Sequence, residues 1–194
     1  MPQPIGFSGS RQLVPQHAAI IASFAGQAAR AGQPILTGCA TGADQAAIVG
    51  ALTAGAAAQL TIFAAFGPAG AGACASSAVA QVEQAGAAGA AVQWWAGGGP
   101  QVPIKGRLVR RARAFIAALH TAGGSLVAFP ASAVGRGTWG EVGLAITAGV
   151  PVFVFPCFTG PLPIVAGGSW LFVAAGPFTG SFAWQPGASQ PVLL

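Results

Sequence analysis

Short apolar runs alternate with longer Ala-rich stretches along most of the chain, and glycine or proline separates them. Runs of four or five residues rich in Ile, Val, Leu and Phe are typical of buried strands, whereas longer stretches with apolar positions three or four apart favour helices. This pattern predicts strands at residues 4–8, 34–37, 60–63, 91–95, 125–129 and 151–155. Helices are predicted between them, at residues 15–31, 43–54, 76–84, 106–120 and 137–148.

The alternation of strands and helices predicts an α/β fold. Parallel strands that are joined through helices form right-handed crossovers, so we expect a Rossmann-like open parallel sheet of about six strands flanked by helices. Residues 152–155 are apolar without interruption, as in strands that are buried on both faces. In open sheets of this kind, ligands bind at the carboxyl ends of the strands, near the point where the strand order reverses.

The segment after residue 158 has a different pattern. Two short aromatic runs lie on either side of a Gly-Pro pair and predict a β-hairpin with strands at residues 169–173 and 181–184. We interpret this segment as a β-hairpin or an edge extension of the sheet, and as a candidate contact with another copy of the chain. The predicted organisation is therefore a Rossmann-like domain at residues 1–158 and an apolar C-terminal β extension at residues 159–194.

Charged residues make up 6% of the chain, against about 25% in a typical soluble domain. A small net charge on an apolar surface opposes association weakly, and we expect a homo-oligomer.

Residues 46–66 are uncharged over a length that crosses a bilayer, but they are rich in Ala and Gly rather than Leu and Ile, so no membrane span is expected. The three cysteines lack disulfide-framework spacing, which fits a reducing, cytoplasmic location.

Three acidic residues occur in the whole chain, and two of them lie in motifs framed by glycine. Asp44 follows the turn at residues 38–42, and Glu141 follows the turn at residues 135–137. Glycine lets the backbone approach a ligand closely, as phosphate-binding turns require. Each carboxylate either stabilises the positive end of its own helix or contacts a ligand. In the second interpretation Asp44 holds a ribose hydroxyl or a catalytic water, and Glu141 acts as carboxylates do in glycoside cleavage.

The basic residues are concentrated as well. Five of the eight Lys and Arg residues lie within residues 105–113. Arg107, Arg110 and Arg111 are spaced i, i+3 and i+4 on a predicted helix, so they either converge on an anion or form a solvated basic face, with Arg113 rotated away from them. Arg11 follows the first strand, where it either clamps a phosphate or is solvated.

The helix that begins after Gly137 is a further candidate anion site. Its first turn offers unpaired N–H groups and the positive end of the helix dipole to a phosphate. Thr138 either caps this helix or donates a hydrogen bond to a phosphate oxygen. No Walker-type phosphate loop and no metal-ligand pattern occurs in the sequence, and we predict neither a metal site nor a bound cofactor.

Taken together, these motifs resemble the SLOG superfamily, which is named for its Smf/DprA and LOG members. The opening turn and the glycine loop are similar to those of its YspA-like branch, and the arginine-bearing helix and the closing Gly-Thr-Trp segment follow in the same order. The matching segments are residues 6–11 (GFSGSR), 37–47 (TGCATGADQAA), 107–115 with 126–129, and 137–139 with 151–154. The resemblance covers about residues 4–156 and leaves the C-terminal extension unexplained.

The last motif also resembles the signature of the LOG-type phosphoribohydrolases. In that family the Gly-Thr turn holds a nucleotide phosphate and a glutamate assists cleavage of the N-glycosidic bond, so the resemblance implies a catalytic role for Glu141. The chain retains Gly135, Gly137 and Thr138 of this signature, and it has Ala133-Val134 where the family has Pro-Gly.

The function expected from the residues and the resemblance is binding of a nucleotide or a nucleotide-derived small ligand, in the manner of SLOG ligand sensors. A LOG-like phosphoribohydrolase that cleaves a nucleoside monophosphate is the first alternative, so enzymatic activity is left open. DprA-like binding of single-stranded DNA is the second. The predicted ligand-binding residues are Gly9, Ser10, Arg11, Gly38, Gly42, Asp44, Arg107, Arg110, Arg111, Gly135, Gly137 and Thr138, with Glu141 as the candidate catalytic residue.

Overall fold

The computed structural model describes residues 2–73 and 75–187. Within them, the strands are β1 (Ile5–Gly9), β2 (Ile35–Thr37), β3 (Leu60–Phe63), β4 (Ala91–Gln93), β5 (Ser125–Phe129), β6 (Val152–Val154), β7 (Ser169–Phe172) and β8 (Phe182–Gln185). The α-helices are α1 (Pro15–Arg30), α2 (Ala43–Thr53), α3 (Ser76–Ala87), α4 (Ile104–Thr121) and α5 (Arg136–Thr147). Two short 3-10 helices lie at Ala57–Gln59 and Pro68–Gly70.

These strands form one sheet in the order β4-β3-β2-β1-β5-β6-β8-β7. The strands from β4 to β6 in this order are parallel, and β8 is antiparallel to both β6 and β7. The predicted α/β fold, with a Rossmann-like parallel sheet and a C-terminal hairpin, is therefore confirmed. The chain builds the sheet outward from β1 to β4 and then continues on the other side with β5 and β6, so the strand order reverses between β1 and β5.

Both faces of the parallel sheet are buried, because successive side chains of a strand point to opposite faces. In β5, Val127 packs with α1 and α2 on one face, while Leu126 packs with α4 and α5 on the other. In β1, Phe7 is fully buried on the first of these faces. On the second face β1 has Gly6, and a Cβ at this position would overlap the side chain of Leu119. Glycine at this position therefore lets α4 lie close to the centre of the sheet.

Helix α4 is the longest element and is amphipathic. Phe115, Ile116 and Leu119 are buried against the sheet, while Arg110 and Arg113 are exposed. The apolar side chains recur at the three- and four-residue intervals that place them on one helical face. Across residues 2–73 and 75–187, no helix combines the length and the apolar character that a bilayer crossing requires.

The fourth strand ends two residues earlier than the apolar pattern predicted. It stops at Gln93, and Trp95 has a φ of 54°, a left-handed conformation that does not occur within an extended strand. The guanidinium carbon of Arg107 lies 5.2 Å from the centroid of the Trp95 ring. The second tryptophan of the pair therefore turns the chain toward α4 instead of extending the sheet.

The C-terminal hairpin is attached to the sheet through its aromatic residues. Trp170 of β7 and Trp184 of β8 are cross-strand partners. Their indole N–H groups donate to the carbonyl oxygens of Pro163 and Val165 at 2.8 and 3.0 Å. The Trp170 ring also meets Trp139 of α5 edge to face, with 6.0 Å between the ring centroids. These contacts hold the hairpin as a continuation of the sheet beyond β6.

Candidate functional site

A cleft of about 750 Å³ opens at the carboxyl ends of the strands, where the strand order reverses between β1 and β5. Its walls come from the turn after β1, the start of α2, the middle of α4 and the first turns of α5. The predicted site residues that line it are Gly9, Ser10, Arg11, Asp44, Arg111, Gly135, Gly137, Thr138 and Glu141. Residues that are far apart in sequence thus surround one volume, and its size is typical of pockets for small molecules.

The first turn of α5 forms one wall of the cleft. Gly135 is the residue that precedes the helix, and no side chain in the described part of the chain caps it. The first N–H groups of a helix have no acceptor within the helix and lie at the positive end of its dipole. Thr138 is 7% exposed and lies inside the first turn of the helix. Its hydroxyl therefore does not cap the helix, since the residue at the cap position is Gly135. This wall therefore presents hydrogen-bond donors to the cleft.

Three buried charged side chains meet at the floor of the cleft. Arg111 Nη2 lies 3.2 Å from Glu141 Oε1, and Arg111 Nη1 lies 3.9 Å from Asp44 Oδ2. The hydroxyl of Ser8 donates to Glu141 Oε2, and the N–H of Ala40 donates to Asp44 Oδ2 at 3.0 Å. Arg111, Asp44 and Glu141 are 6%, 4% and 9% exposed. Arg111 thus offsets the cost of burying two carboxyl groups side by side.

Burial places the pKa of the Asp44 carboxyl near neutral pH. Burial raises the pKa of the Asp44 carboxyl from 3.8 to about 7, with Arg111 opposing the shift and Glu141 adding to it. Burial lowers the pKa of Arg111, but Glu141 and Asp44 together outweigh burial and raise it, so the guanidinium remains charged. Asp44 therefore changes its protonation near neutral pH while the arginine beside it does not.

We expect the stability of the protein to fall between pH 4 and pH 7 in a way that depends on Asp44. In this window the folded chain keeps a proton that the unfolded chain has lost, so rising pH lowers the free energy of unfolding by up to about 1.4 kcal/mol per pH unit. Urea unfolding of the wild type and of Asp44→Asn at several pH values measures this effect. The variant should show the shallower dependence, and equal slopes would contradict the assignment.

The glycine turn at residues 38–42 packs closely against the charged residues at the floor of the cleft and against the turn after β1. A Cβ at Gly38 would overlap Arg111 Nη1 and Asp44 Oδ2. Gly42 has φ 80° and ψ −120°, and a Cβ there would lie 2.7 Å from the Cα atom of Arg11. Neither glycine lines the cleft. Their missing side chains instead let the start of α2 approach both α4 and the turn after β1.

Two of the predicted arginines lie away from the cleft. Arg107 is buried, and its Nη1 and Nη2 atoms donate to the carbonyl oxygens of Ala65 and Gly72, both at 3.0 Å. It therefore fastens the loop after β3 to α4. Arg110 is exposed and is directed toward Gly98. The expected convergence of these two side chains with Arg111 on one anion is not observed. Arg107 is held by carbonyl groups, and Arg110 is separated from Arg111 by about 100° around the helix.

Two further arginines line the cleft without having been predicted. Arg113, which the helical spacing placed on the solvated side, and Arg136, the first residue of α5, are both exposed at its edge. The position of Arg136 between Gly135 and Gly137 was an available signal for its role. The cleft is thus lined by four guanidinium groups, from Arg11, Arg111, Arg113 and Arg136, and by two carboxyl groups. Its charge favours an anionic ligand.

No protein-family model matches the chain, and no curated protein matches it. Its fold is similar to solved structures of DNA processing protein A, DprA. The protein from Helicobacter pylori, described for its unique single-stranded DNA binding mode, has a TM-score of 0.62 and 20% identity, over 79% of this chain and 65% of that chain. The protein from Streptococcus pneumoniae has a TM-score of 0.48 and 19% identity, over 78% of this chain and 58% of that chain.

These comparisons concern the fold. The chain spans less than two thirds of the length of either DprA protein. At about 20% identity the likeness shows a shared architecture, and function has to be argued from the site itself. The chain therefore has a Rossmann-like fold of the kind found in DprA.

Proposed function

We propose that the cleft binds a small ligand that carries a phosphate group, a nucleotide or a molecule derived from one. The observation that carries the proposal is the position of Arg11 and the uncapped first turn of α5 at a single cleft where the strand order reverses. A helix N-terminus stabilises an anion through its free N–H groups and its dipole, and a guanidinium adds a charged, two-pronged donor.

The charges within the cleft suggest how such a ligand is oriented. Arg11 and Arg136, which are exposed at its edge, and the N–H groups in the first turn of α5 suit the phosphate. The buried Asp44 and Glu141 suit hydroxyl groups, which donate hydrogen bonds to carboxyl oxygens. We therefore propose that the phosphate lies at the mouth and the sugar toward the floor.

Replacement of Arg11 by alanine is expected to weaken binding of adenosine 5′-monophosphate about 10- to 100-fold, since a charged hydrogen bond contributes about 1.5–3 kcal/mol. Isothermal titration calorimetry measures the affinity. The matched control is Arg110→Ala, because Arg110 is an exposed arginine outside the cleft. Its affinity should equal that of the wild type.

Adenosine provides the second arm of the same titration. It lacks the phosphate, so its affinity for the wild type should be lower and should not depend on Arg11. Equal losses of affinity in the Arg11 and Arg110 variants, or equal affinities for the nucleotide and the nucleoside, would contradict a phosphate site at the mouth of the cleft.

Hydrolysis of the N-glycosidic bond is a separate property of the same cleft. Both carboxylate oxygens of Glu141 are engaged, one by Ser8 and the other by Arg111. A carboxylate held in this way suits ligand positioning, and the positive charge of Arg111 beside it reduces the negative charge available to an oxocarbenium-like centre. We therefore favour binding without turnover. Release of free adenine from the monophosphate, lost in Glu141→Gln with binding retained, would instead establish the hydrolase.

Single-stranded DNA is the second candidate ligand, supported by the guanidinium groups of the cleft and by the fold that the chain shares with the H. pylori protein. Binding of single strands usually combines basic groups with aromatic side chains on which bases stack. Among the described residues, the lining of the cleft contains no aromatic side chain. Tighter binding of oligothymidylate than of the monophosphate, with an affinity that falls steeply with salt, would favour DNA.

The finer family assignment is also a proposal. The Gly-Ser-Arg turn after β1 and the Gly-Ala-Asp turn before α2 adjoin the cleft, which supports membership of the YspA-like branch of SLOG. SLOG members include ligand sensors of bacterial conflict systems, and we propose a sensor of this type, acting as a homo-oligomer in the cytoplasm.

A further inference from the structure

Strand β7 lies at the edge of the sheet in the described part of the chain, away from the cleft. β7 pairs with β8 on one side, and no strand among residues 2–73 and 75–187 pairs with its other side. Leu171 and Phe172 of this strand are 54% and 62% exposed. An edge strand with unpaired backbone groups and exposed apolar side chains is a template for pairing with another chain.

The register within the hairpin shows which backbone groups are free. The N–H of Val173 donates to the carbonyl oxygen of Ser181, and the carbonyl oxygen of Val173 accepts from the N–H of Gly180, both at 2.9 Å, so the backbone groups of Val173 point toward β8. This direction alternates along a strand, so the backbone groups of Leu171 also point toward β8 and pair with Ala183. The N–H and C=O groups of Trp170 and Phe172 therefore point away from β8, toward the free edge.

Charge and proline, two of the usual protections against edge pairing, are missing from this strand. Natural edge strands are very short, or they carry lysine or other charged residues, proline or a bulge. β7 has the sequence Ser-Trp-Leu-Phe, and no charged residue occurs anywhere in the chain after Glu141. Two copies of this surface would thus meet without repulsion between like charges.

We propose that β7 pairs antiparallel with β7 of a second copy of this chain, about a two-fold axis at Leu171. In this register Trp170 lies opposite the second copy's Phe172, and the outward backbone groups of each pair exchange both hydrogen bonds. Leu171 then lies opposite its own copy, in the closer, non-hydrogen-bonded type of pair. The two sheets become continuous across the axis, and the interface is of the self-complementary kind that two-fold dimers require.

The test is sedimentation velocity of the wild type and two variants over a concentration range. A four-residue edge gives a modest interface, so the dimer is expected to dissociate with a Kd of roughly 1 μM to 1 mM. At high concentration the wild type should approach twice its 18.9 kDa chain mass. Leu171→Lys should remain at the single-chain mass, while Ile164→Lys should behave as the wild type, because Ile164 is 83% exposed in the same extension but lies outside the strand.

A cross-linking experiment keeps the proposal testable if the lysine variant does not fold. The two Leu171 Cα atoms would be about 4.5 Å apart, a distance that a disulfide can bridge. With a mild copper–phenanthroline oxidant, Leu171→Cys should form covalent dimers at least about tenfold faster than Ile164→Cys or the wild type, because pairing raises the effective concentration of the thiols.

Equal cross-linking rates in the two cysteine variants, or a wild type that stays at the single-chain mass throughout, would overturn the proposal. So would stronger association of a chain shortened after Gly187, since the full chain would then not offer β7 to a second copy.

Discussion

Replacement of Arg111 by methionine is expected to lower the free energy of unfolding by about 3–5 kcal/mol, the usual cost of removing one partner from a buried ion pair. Arg111 contacts Glu141 directly at 3.2 Å and also lies 3.9 Å from Asp44. Without it, two carboxyl groups share a buried site with no positive charge beside them. Methionine fills much of the same volume, so the loss reports the charge rather than a cavity.

The loss should increase as the pH rises. Without the arginine, the folded state binds protons at the two carboxyl groups more tightly than the unfolded chain does, and this binding favours folding only at low pH. Urea unfolding at about pH 5 and pH 8 measures the effect, with Arg110→Met as the control from the exposed side of the same helix. A similar, pH-independent loss in both variants would contradict the role of Arg111 at the floor of the cleft.

Replacement of Gly42 by alanine is expected to lower the free energy of unfolding by about 3 kcal/mol or more and to weaken nucleotide binding at least as much as Arg11→Ala does. Gly42 has φ 80° and ψ −120°, which a residue with a side chain adopts only with strain. Its Cβ would also overlap the carbonyl oxygen of Ser10 and lie 2.7 Å from the Cα atom of Arg11. The turn after β1 would have to move, and with it the guanidinium that we assign to the phosphate.

Gly55 provides the control for this variant. It also has a positive φ, of 67°, but nothing lies within 4 Å of its Cβ position. Gly55→Ala should therefore cost only about 1 kcal/mol of left-handed strain and leave ligand affinity unchanged. Thermal unfolding of the two variants measures the loss of stability, which includes the left-handed strain in both. Calorimetric titration measures the loss of ligand affinity, which we expect only where the turn after β1 is displaced. Retention of full affinity in Gly42→Ala would refute the link between this glycine and the cleft.

The fold could be predicted largely from local signals. Glycine and proline mark the ends of the elements, and the apolar runs between them are short enough for strands, so β3 and β5 have the bounds that the pattern predicted. The predicted end of β4 was wrong, because the apolar residues continue to Trp95 whereas the strand stops at Gln93. The run that ends in Trp95 has the pattern of a strand, yet this residue has a positive φ, and its ring contacts Arg107 of α4, which the local sequence does not indicate.

The site was harder to predict than the fold, because its contacts join distant parts of the chain. Helical spacing gives the direction of Arg107 but not the carbonyl groups of the loop after β3 that engage it. No local signal connects Ser8 with Glu141, which are separated by 133 residues and meet only when α5 packs beside β1. Asp44 and Glu141 could be recognised as candidates because acidic residues are scarce in this chain. Their shared partner Arg111 could not, because the sequence does not distinguish it from the other arginines of the same helix.

We propose that a phosphate-bearing ligand occupies the cleft between β1 and β5. Amide hydrogen exchange, followed by mass spectrometry with and without adenosine 5′-monophosphate, shows which backbone segments contact such a ligand. We predict slower exchange in the turn at residues 9–12 and in the first turn of α5 at residues 136–139, and little change with adenosine. Unchanged exchange in both segments at saturating ligand, or protection confined to the C-terminal hairpin, would contradict the proposal.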